Sequence, residues 1–106
     1  MVADLATHNI PAAAFDVVMM FNYLDRERLP DLLAAVKPGG WFLAETFLVT
    51  QPQHGWGPTS ANHLLAFGEL ATLVASFDIV LTREATEIAD GRPMDVASVL
   101  AQRPTN

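Results

Sequence analysis

The stretch that decides the fold is residues 15–47, FDVVMMFNYLDRERLPDLLAAVKPGGWFLAETF. It begins with a nearly continuous apolar run, Phe15–Phe21, and ends with another, Trp41–Phe47. Short runs of this kind are typical of strands that are buried on both faces, as in parallel sheets. Residues 25–36 between the runs repeat with the period of a helix. A strand, a helix and a second strand in this order predict a parallel pair joined by a right-handed crossover.

The predicted helix spans residues 25–36. Asp25 can cap its start, and Pro30 falls in the first turn, where a missing N–H costs least. The segment Lys37–Gly40 is predicted to stop the helix and turn the chain. The apolar side chains of the helix are spaced i, i+3, i+4 and i+7, which places them on one face: Leu29, Leu32, Leu33 and Val36.

Downstream of Phe47 the apolar pattern breaks and then resumes. Residues 48–67 predict an irregular loop of about twenty residues, a length that is usually functional or disordered. Residues 78–88 and 94–102 are predicted strands, and the Asp90-Gly91 signal in the turn at 89–93 predicts an antiparallel hairpin. The fold class is therefore α/β, with the order β-α-β-α-β-β and a terminal antiparallel hairpin. The second helix is predicted to open at Gly68-Glu69 and to bury Leu70, Leu73, Val74 and Phe77.

Composition restricts the function classes. A chain of 106 residues with 51% hydrophobic residues predicts a single globular domain. Its formal net charge of -6, without a basic cluster, argues against nucleic acid and anionic membrane surfaces as direct partners. The absence of cysteine excludes disulfides and thiolate chemistry and fits a cytoplasmic location. No metal site is predicted, because the histidines do not pair with other ligands at helical spacing: His8, His54 and His63.

Several motifs together resemble class I S-adenosylmethionine-dependent methyltransferases. Phe15–Val18 resembles the "FDVV" opening of that family's fourth strand, and residues 36–41 resemble its "LKPGG" turn. Glu45–Phe47, Gln51 and residues 64–70 look like the branch related to tellurite-resistance methyltransferases. The resemblance covers nearly the whole chain. It implies the C-terminal half of a Rossmann-like methyltransferase sheet, so residues 1–106 are expected to form a single truncated methyltransferase-like domain.

The resemblance also implies a site for S-adenosylmethionine and a methyl acceptor. Asp4 and Leu5, in a segment that looks like the acidic turn holding the adenine ring, are cofactor candidates together with Phe21 and Asn22. Glu45 and Asn22 are the catalytic candidates. Against these roles stand simpler ones, namely a solvated carboxylate for Asp4 or Glu45 and a turn residue for Asn22. The substrate candidates are Tyr23, Thr46 and Phe47, and the long loop forms either a substrate lid or a mobile surface loop, with Gln51, His54, Trp56 and Asn62 as its candidates.

Cofactor binding by this chain alone is expected to be weak or absent. No G-x-G-x-x-G motif occurs, although the resembled enzymes hold their cofactor on a glycine-rich loop. One hypothesis is a fragment or subunit of an active methyltransferase that needs a complementary half. A second is a non-catalytic module that self-associates or binds proteins, and a third is that Met1 is an internal start of a longer protein.

A homodimer is expected if no complementary half is present. In the resembled fold, the strand that starts at Phe15 lies in the middle of the sheet, so here its outer edge would lack a partner. Both helices should cover the same face of the sheet and leave the opposite face bare. Two copies could pair their Phe15–Phe21 edges or stack their bare faces.

Overall fold

The computed structural model describes residues 10–105, which form one mixed sheet flanked by two short helices. The first two strands are parallel, and the last strand is antiparallel to both of its neighbours. The predicted α/β order with a terminal hairpin is confirmed. The elements are β1 (Phe15–Phe21), α1 (Leu29–Ala34), β2 (Val36–Phe47), α2 (Glu69–Leu73), β3 (Asp78–Ala89) and β4 (Arg92–Gln102), and the strands lie in the order β1-β2-β4-β3.

Helix α1 is shorter than the predicted 25–36. Asp25 does cap the chain locally, because its Oδ1 accepts hydrogen bonds from the N–H groups of Glu27 and Arg28, at 3.1 and 3.2 Å. Residues 26–28 nevertheless form turns, and regular helix begins only at Leu29. Pro30 has no N–H to give to the preceding turn, which explains the late start. Helix α2 is also short, although Leu70, Val74 and Phe77 of its predicted apolar face are buried.

The Lys37–Gly40 segment belongs to β2, so its predicted role as a separate turn is wrong. The N–H of Gly39 donates to the carbonyl of Arg103 at 2.9 Å, and the N–H of Arg103 donates to the carbonyl of Gly40 at 2.9 Å. The chain beyond β4 therefore extends the ladder past the predicted start at Trp41. On the β1 side the register jumps, because Phe15 pairs with Val36 but Val17 pairs with Trp41. The segment thus forms a bulge within a strand.

The two faces of the sheet differ in how they are covered. Both helices pack into one core cluster that contains Val18, Phe42 and Val99, all with at most 1% exposure. On the opposite face, which we call the open face, paired residues of the four strands form a row that runs across the sheet. Loop residue Trp56 covers part of this face by packing on Phe47 and Val96. The rest is half-buried or exposed, and its apolar row consists of Met19, Leu43, Leu100 and Leu81.

The hairpin between β3 and β4 turns through two residues. Asp90 and Gly91 both have positive φ, 52° and 75°, as a type I′ turn requires at its two central positions. Ala89 and Arg92 are paired directly beside the turn, so β3 and β4 are each one or two residues longer at this end than predicted.

Candidate functional site

The carboxyl ends of β1, β2 and β3 meet at one edge of the sheet. β1 is parallel to β2, and both β2 and β3 are antiparallel to β4, so the three strands run the same way. We call this edge the rim and define it as residues 21–23, 45–50 and 88–93. In open α/β sheets, ligands bind outside the carboxyl ends of the strands. The rim is therefore where the predicted site residues can act together.

The structure brings Asn22 and Glu45 together. The backbone N–H of Asn22 donates to the carbonyl of Glu45 at 2.9 Å, and Asn22 has a left-handed φ of 55° that turns the chain out of β1. The half-buried Glu45 carboxylate is oriented by Ser98, whose Oγ donates to Oε2 at 2.8 Å. The Asn22 side chain is exposed. An accessible amide can donate hydrogen bonds to a bound molecule and accept them from it, and a fixed carboxylate can accept them.

The other rim candidates differ in their accessibility. Phe21 is 46% exposed, and the hydroxyl of Tyr23 donates to Asp25 Oδ2 at 3.1 Å. Thr46 and Phe47 are 1% and 8% exposed, and the ring of Phe47 meets that of Trp56 edge-to-face at 5.9 Å. The substrate roles of Thr46 and Phe47 stay predictions, and both side chains face into the protein here.

Asp4 and Leu5, the remaining cofactor candidates, lie outside the described residues. So does the first of the three histidines, His8. Their predicted roles stay predictions.

The loop after β2 is attached to the first residues of β4 through Gln51 and Trp56. The buried amide of Gln51 accepts from the N–H of Asp95 at 2.7 Å and donates to the carbonyls of Trp56 and Pro93, at 3.2 and 3.3 Å. Trp56 Nε1 donates to the carbonyl of Pro93 at 2.8 Å, and the guanidinium of Arg92 lies 4.0 Å from its ring centre. These contacts give Gln51 and Trp56 structural roles, whereas Asn62 lies in a separate turn capped by Ser60.

Asp95 is the polar centre of this attachment, and no local sequence pattern indicates its role. Its carboxylate, 8% exposed, accepts from Thr50 Oγ1 at 2.5 Å and from Thr86 Oγ1 at 2.6 Å. His54 Nε2 lies 3.0 Å from Oδ1, within salt-bridge distance, but its alignment does not meet hydrogen-bond geometry, so we regard this contact as electrostatic only. The hydroxyl of Thr50, then that of Thr86, lowers the pKa of Asp95, and burial opposes the shift. The carboxylate is therefore held in its ionised form.

A second feature that sequence reasoning missed is the pair Arg26–Glu69. Arg26 Nε and Nη2 donate to the two oxygens of Glu69 at 2.6 and 2.9 Å, and Nη2 also donates to the carbonyl of Leu64 at 2.7 Å. The pKa of Glu69 is lowered, mainly by the hydrogen bonds from Arg26. This bidentate pair joins the segment after β1 to the start of α2. Directly beside it lies a cleft of about 350 Å³, lined by Leu24, Asp25, Arg26, Glu27, Asn62 and His63.

The described part of the chain offers neither a metal site nor a membrane span. Residues 10–105 contain no group of three or more His, Asp or Glu side chains that could hold a metal ion. Neither helix in this range is long and apolar enough to cross a bilayer.

The sequence holds one G-x-G motif, Gly55-Trp56-Gly57, in the loop after β2. Both glycines have positive φ, and a carbon atom added at Gly57 would lie 3.3 Å from the side chain of Gln51. This spacing serves the fold of the loop.

Comparison with solved structures identifies the architecture. A SAM-dependent methyltransferase from Methanosarcina mazei superposes with a TM-score of 0.69 at 16% sequence identity. The match covers 100% of this chain and 67% of the methyltransferase chain. The chain has the fold of the C-terminal part of a class I S-adenosylmethionine-dependent methyltransferase. TehB from Haemophilus influenzae has a TM-score of 0.65 at 18% identity, with 88% of this chain and 37% of its own covered.

A third neighbour is similar in the same region. The S-adenosylmethionine-dependent methyltransferase from Mesorhizobium loti has a TM-score of 0.64 at 19% identity, over 95% of this chain and 68% of its own. This methyltransferase-like chain thus spans between 37% and 68% of these three neighbours. No protein-family model matches it, and no curated protein matches it either.

Proposed function

We propose that this chain is one half of a methyl-transfer site, with its rim as the acceptor wall and with the rest of the cofactor site supplied by a complementary methyltransferase half. The observation that carries the proposal is the sheet order β1-β2-β4-β3, with antiparallel β4 inserted between β2 and β3. The similarity to several S-adenosylmethionine-dependent methyltransferases supports it. A cytoplasmic location is part of the same proposal.

The rim fits one side of the cofactor. Phe21 offers an exposed ring that could pack against a planar base, and the exposed amide of Asn22 offers a donor and an acceptor. In this proposal these two residues, with Asp4 and Leu5, hold S-adenosylmethionine. The cofactor supplies a methyl group carried on a positively charged sulfur.

The acceptor is positioned by the other rim residues. Glu45 lies next to Asn22, and its contact with Ser98 fixes the direction of the carboxylate. Such a carboxylate can orient an acceptor or take up its proton. Tyr23 is the accessible substrate residue of this proposal, and Thr46 and Phe47 are assigned to the same wall although their side chains are buried in this chain. Holding two reactants in place provides much of the rate in reactions of this kind.

The isolated chain is expected to bind S-adenosylmethionine very weakly or not at all. A rim that contacts one side of the cofactor, without a glycine-rich loop beside it, provides too few hydrogen bonds for tight binding. Titration calorimetry with S-adenosylhomocysteine and with S-adenosylmethionine checks this, with a complete methyltransferase as the positive control. A dissociation constant in the low micromolar range, about -8 kcal/mol, would contradict it.

In an active complex with a complementary half, Glu45→Gln and Asn22→Gly should each lower turnover by at least about tenfold. Glycine is chosen for position 22 because it keeps the positive φ and removes only the amide. Melting temperatures should stay close to that of the parent protein. The matched control is Glu27→Gln, an exposed carboxylate outside the rim, which should leave turnover unchanged. Parallel losses of turnover and melting temperature would reassign both residues to structure.

A second candidate is a non-catalytic module that self-associates or binds another protein. The observation that favours it is the outer edge of β1, which has no partner strand within residues 10–105. Persistent inactivity of the chain with every complementary half tested, together with stable self-association, would favour this candidate over the first.

A further inference from the structure

Arg92 is a cation of the rim whose hydrogen-bond donors are not used by the described part of the chain. Its guanidinium lies 4.0 Å from the centre of the Trp56 ring. Within residues 10–105 it forms no ion pair and no hydrogen bond, and the exposed carboxylate of Asp90 in the same hairpin is not a partner. A guanidinium carries five N–H donors in a planar fork that matches a carboxylate or a phosphate. These donors are therefore available to a bound molecule.

Other basic side chains of this acidic chain are used differently. The formal net charge is -6, so carboxylates are in excess. Arg26, Lys37 and Arg83 lie within salt-bridge distance of carboxylates, and Arg103 donates to two backbone carbonyls, at 3.1 and 2.6 Å. Arg92, in contrast, keeps its donors at the carboxyl ends of the strands, where ligands of open sheets bind. This combination points to an anionic ligand.

Trp56 holds the guanidinium of Arg92 in a defined place. Trp56 Nε1 donates to the carbonyl of Pro93 at 2.8 Å, and the side-chain amide of Gln51 donates to the Trp56 carbonyl at 3.2 Å. The indole is thus fixed, and a cation is attracted to its face. An arginine that is held before a ligand arrives loses less conformational entropy on binding than a freely rotating one.

Two aromatic rings in contact connect Arg92 with the acceptor wall of the rim. Glu45 and Phe47 are two positions apart on β2, so their side chains point to the same face of the sheet. The ring of Phe47 meets that of Trp56 at 5.9 Å, and Arg92 lies over Trp56. The wall therefore has a carboxylate at one end and a guanidinium at the other. A molecule with an apolar body and an oxyanion at one end fits this arrangement.

We propose that Arg92 binds the oxyanion of the methyl acceptor, a molecule with an apolar body and a carboxylate or phosphate group. Arg92 anchors that group beside Trp56, and Glu45 orients the opposite end for methyl transfer. The role in acceptor binding rests on the proposed function, whereas the anion site itself lies within this chain and does not. Arg92 is on β4, which β2 separates from β1. A half that continues the sheet beyond β1 therefore adds its strands away from this site.

Titration of the isolated chain with small aryl anions tests the anion site. The probes are benzoate and phenyl phosphate, which distinguish a carboxylate from a phosphate, and benzamide is the neutral counterpart of benzoate. Two-dimensional NMR follows the indole N–H signals of Trp56 and of Trp41, which lies further back on β2 and serves as the internal reference. At least one anion should shift the Trp56 signal saturably, with a dissociation constant on the order of 10 mM or lower. Benzamide should bind at least about fivefold more weakly.

Substitutions at position 92 separate this site from general attraction to positive charge. Arg92→Gln should raise the dissociation constant at least about tenfold, and Arg92→Lys should keep only part of the affinity because an ammonium lacks the planar fork. The matched control is Lys37→Gln, which removes the same charge from an exposed side chain at the start of β2 and should bind the anions like the parent chain. Arg92 is exposed, so its variants should fold, and the Trp41 signal checks this.

The anion site and the role in acceptor binding can fail separately. The absence of a saturable shift with both anions would overturn the anion site, as would equal affinity for benzamide or equal effects of Arg92→Gln and Lys37→Gln. Arg92 would then only cover Trp56. In an active complex with a complementary half, the anion that binds should inhibit competitively with the acceptor, and Arg92→Gln should raise its inhibition constant at least about tenfold. Inhibition that is absent or not competitive would overturn the role in acceptor binding and leave the anion site in place.

Discussion

Replacing Asp95 by alanine is expected to lower the free energy of unfolding by about 3 kcal/mol. The carboxylate is nearly buried, and two threonine hydroxyls, those of Thr50 and Thr86, donate to it. Without it, these two hydroxyls lose their acceptor inside a site that water reaches poorly, and His54 Nε2 loses the carboxylate that lies 3.0 Å from it. The loop after β2 loses one of its attachments to β4, the hydrogen bond from Thr50, whereas the contacts of Gln51 and Trp56 to the backbone of β4 remain.

Urea unfolding at neutral pH measures the effect, and Asp78→Ala is the matched control because Asp78 is an exposed carboxylate on β3. The folded-state pKa of Asp95 lies below its usual value, chiefly because of the Thr50 hydrogen bond. Its ionised form therefore stabilises the fold fully above about pH 4, the usual Asp range. That contribution is lost as the pH falls through the lower folded-state value. In that acidic range, the difference in the free energy of unfolding between wild type and Asp95→Ala should become smaller. A difference that does not change with pH would assign the loss of stability to packing.

Local patterns were enough to predict the four strands and their order along the chain, although not the full length of β2. The apolar runs Phe15–Phe21 and Trp41–Phe47 predict buried strands without any knowledge of distant residues. The Asp90-Gly91 turn predicts its hairpin because both residues readily adopt the positive φ that the turn needs. The same holds for the rim, because strand ends in a parallel sheet necessarily meet. Asn22 and Glu45 were both predicted as site residues, and the structure places them side by side, although their catalytic roles stay predictions.

Contacts between distant segments could not be predicted in this way. Arg26 meets Glu69 across 43 positions, and Thr50 meets Asp95 across 45. Each is an ordinary polar residue in its local sequence, and only the fold makes it a partner. The start of β2 was missed for a related reason, since the Lys37–Gly40 segment is held extended by Arg103 from the end of the described chain.

Gly40→Ala is expected to destabilise the chain by about 2–4 kcal/mol, because the bulge in β2 has no room for a side chain. A carbon atom added at Gly40 would lie 2.7 Å from the carbonyl oxygen of Asp16 and 2.9 Å from that of Lys37. Both are backbone atoms, so relief requires that β1 moves away from β2 and that the bulge in β2 itself changes shape. The displacement would also strain the hydrogen bond from Arg103 N–H to the carbonyl of Gly40.

Gly55→Ala separates this clash from the ordinary cost of replacing glycine. Gly55 has a positive φ of 78° with open space around it, so alanine there should cost only about 1 kcal/mol of backbone strain. Chemical denaturation of the two variants side by side measures the difference. If Gly40→Ala lowered the free energy of unfolding no more than Gly55→Ala does, the strands could adjust to a side chain at position 40 without loss. The close contact between β1 and the bulge would then not contribute to stability.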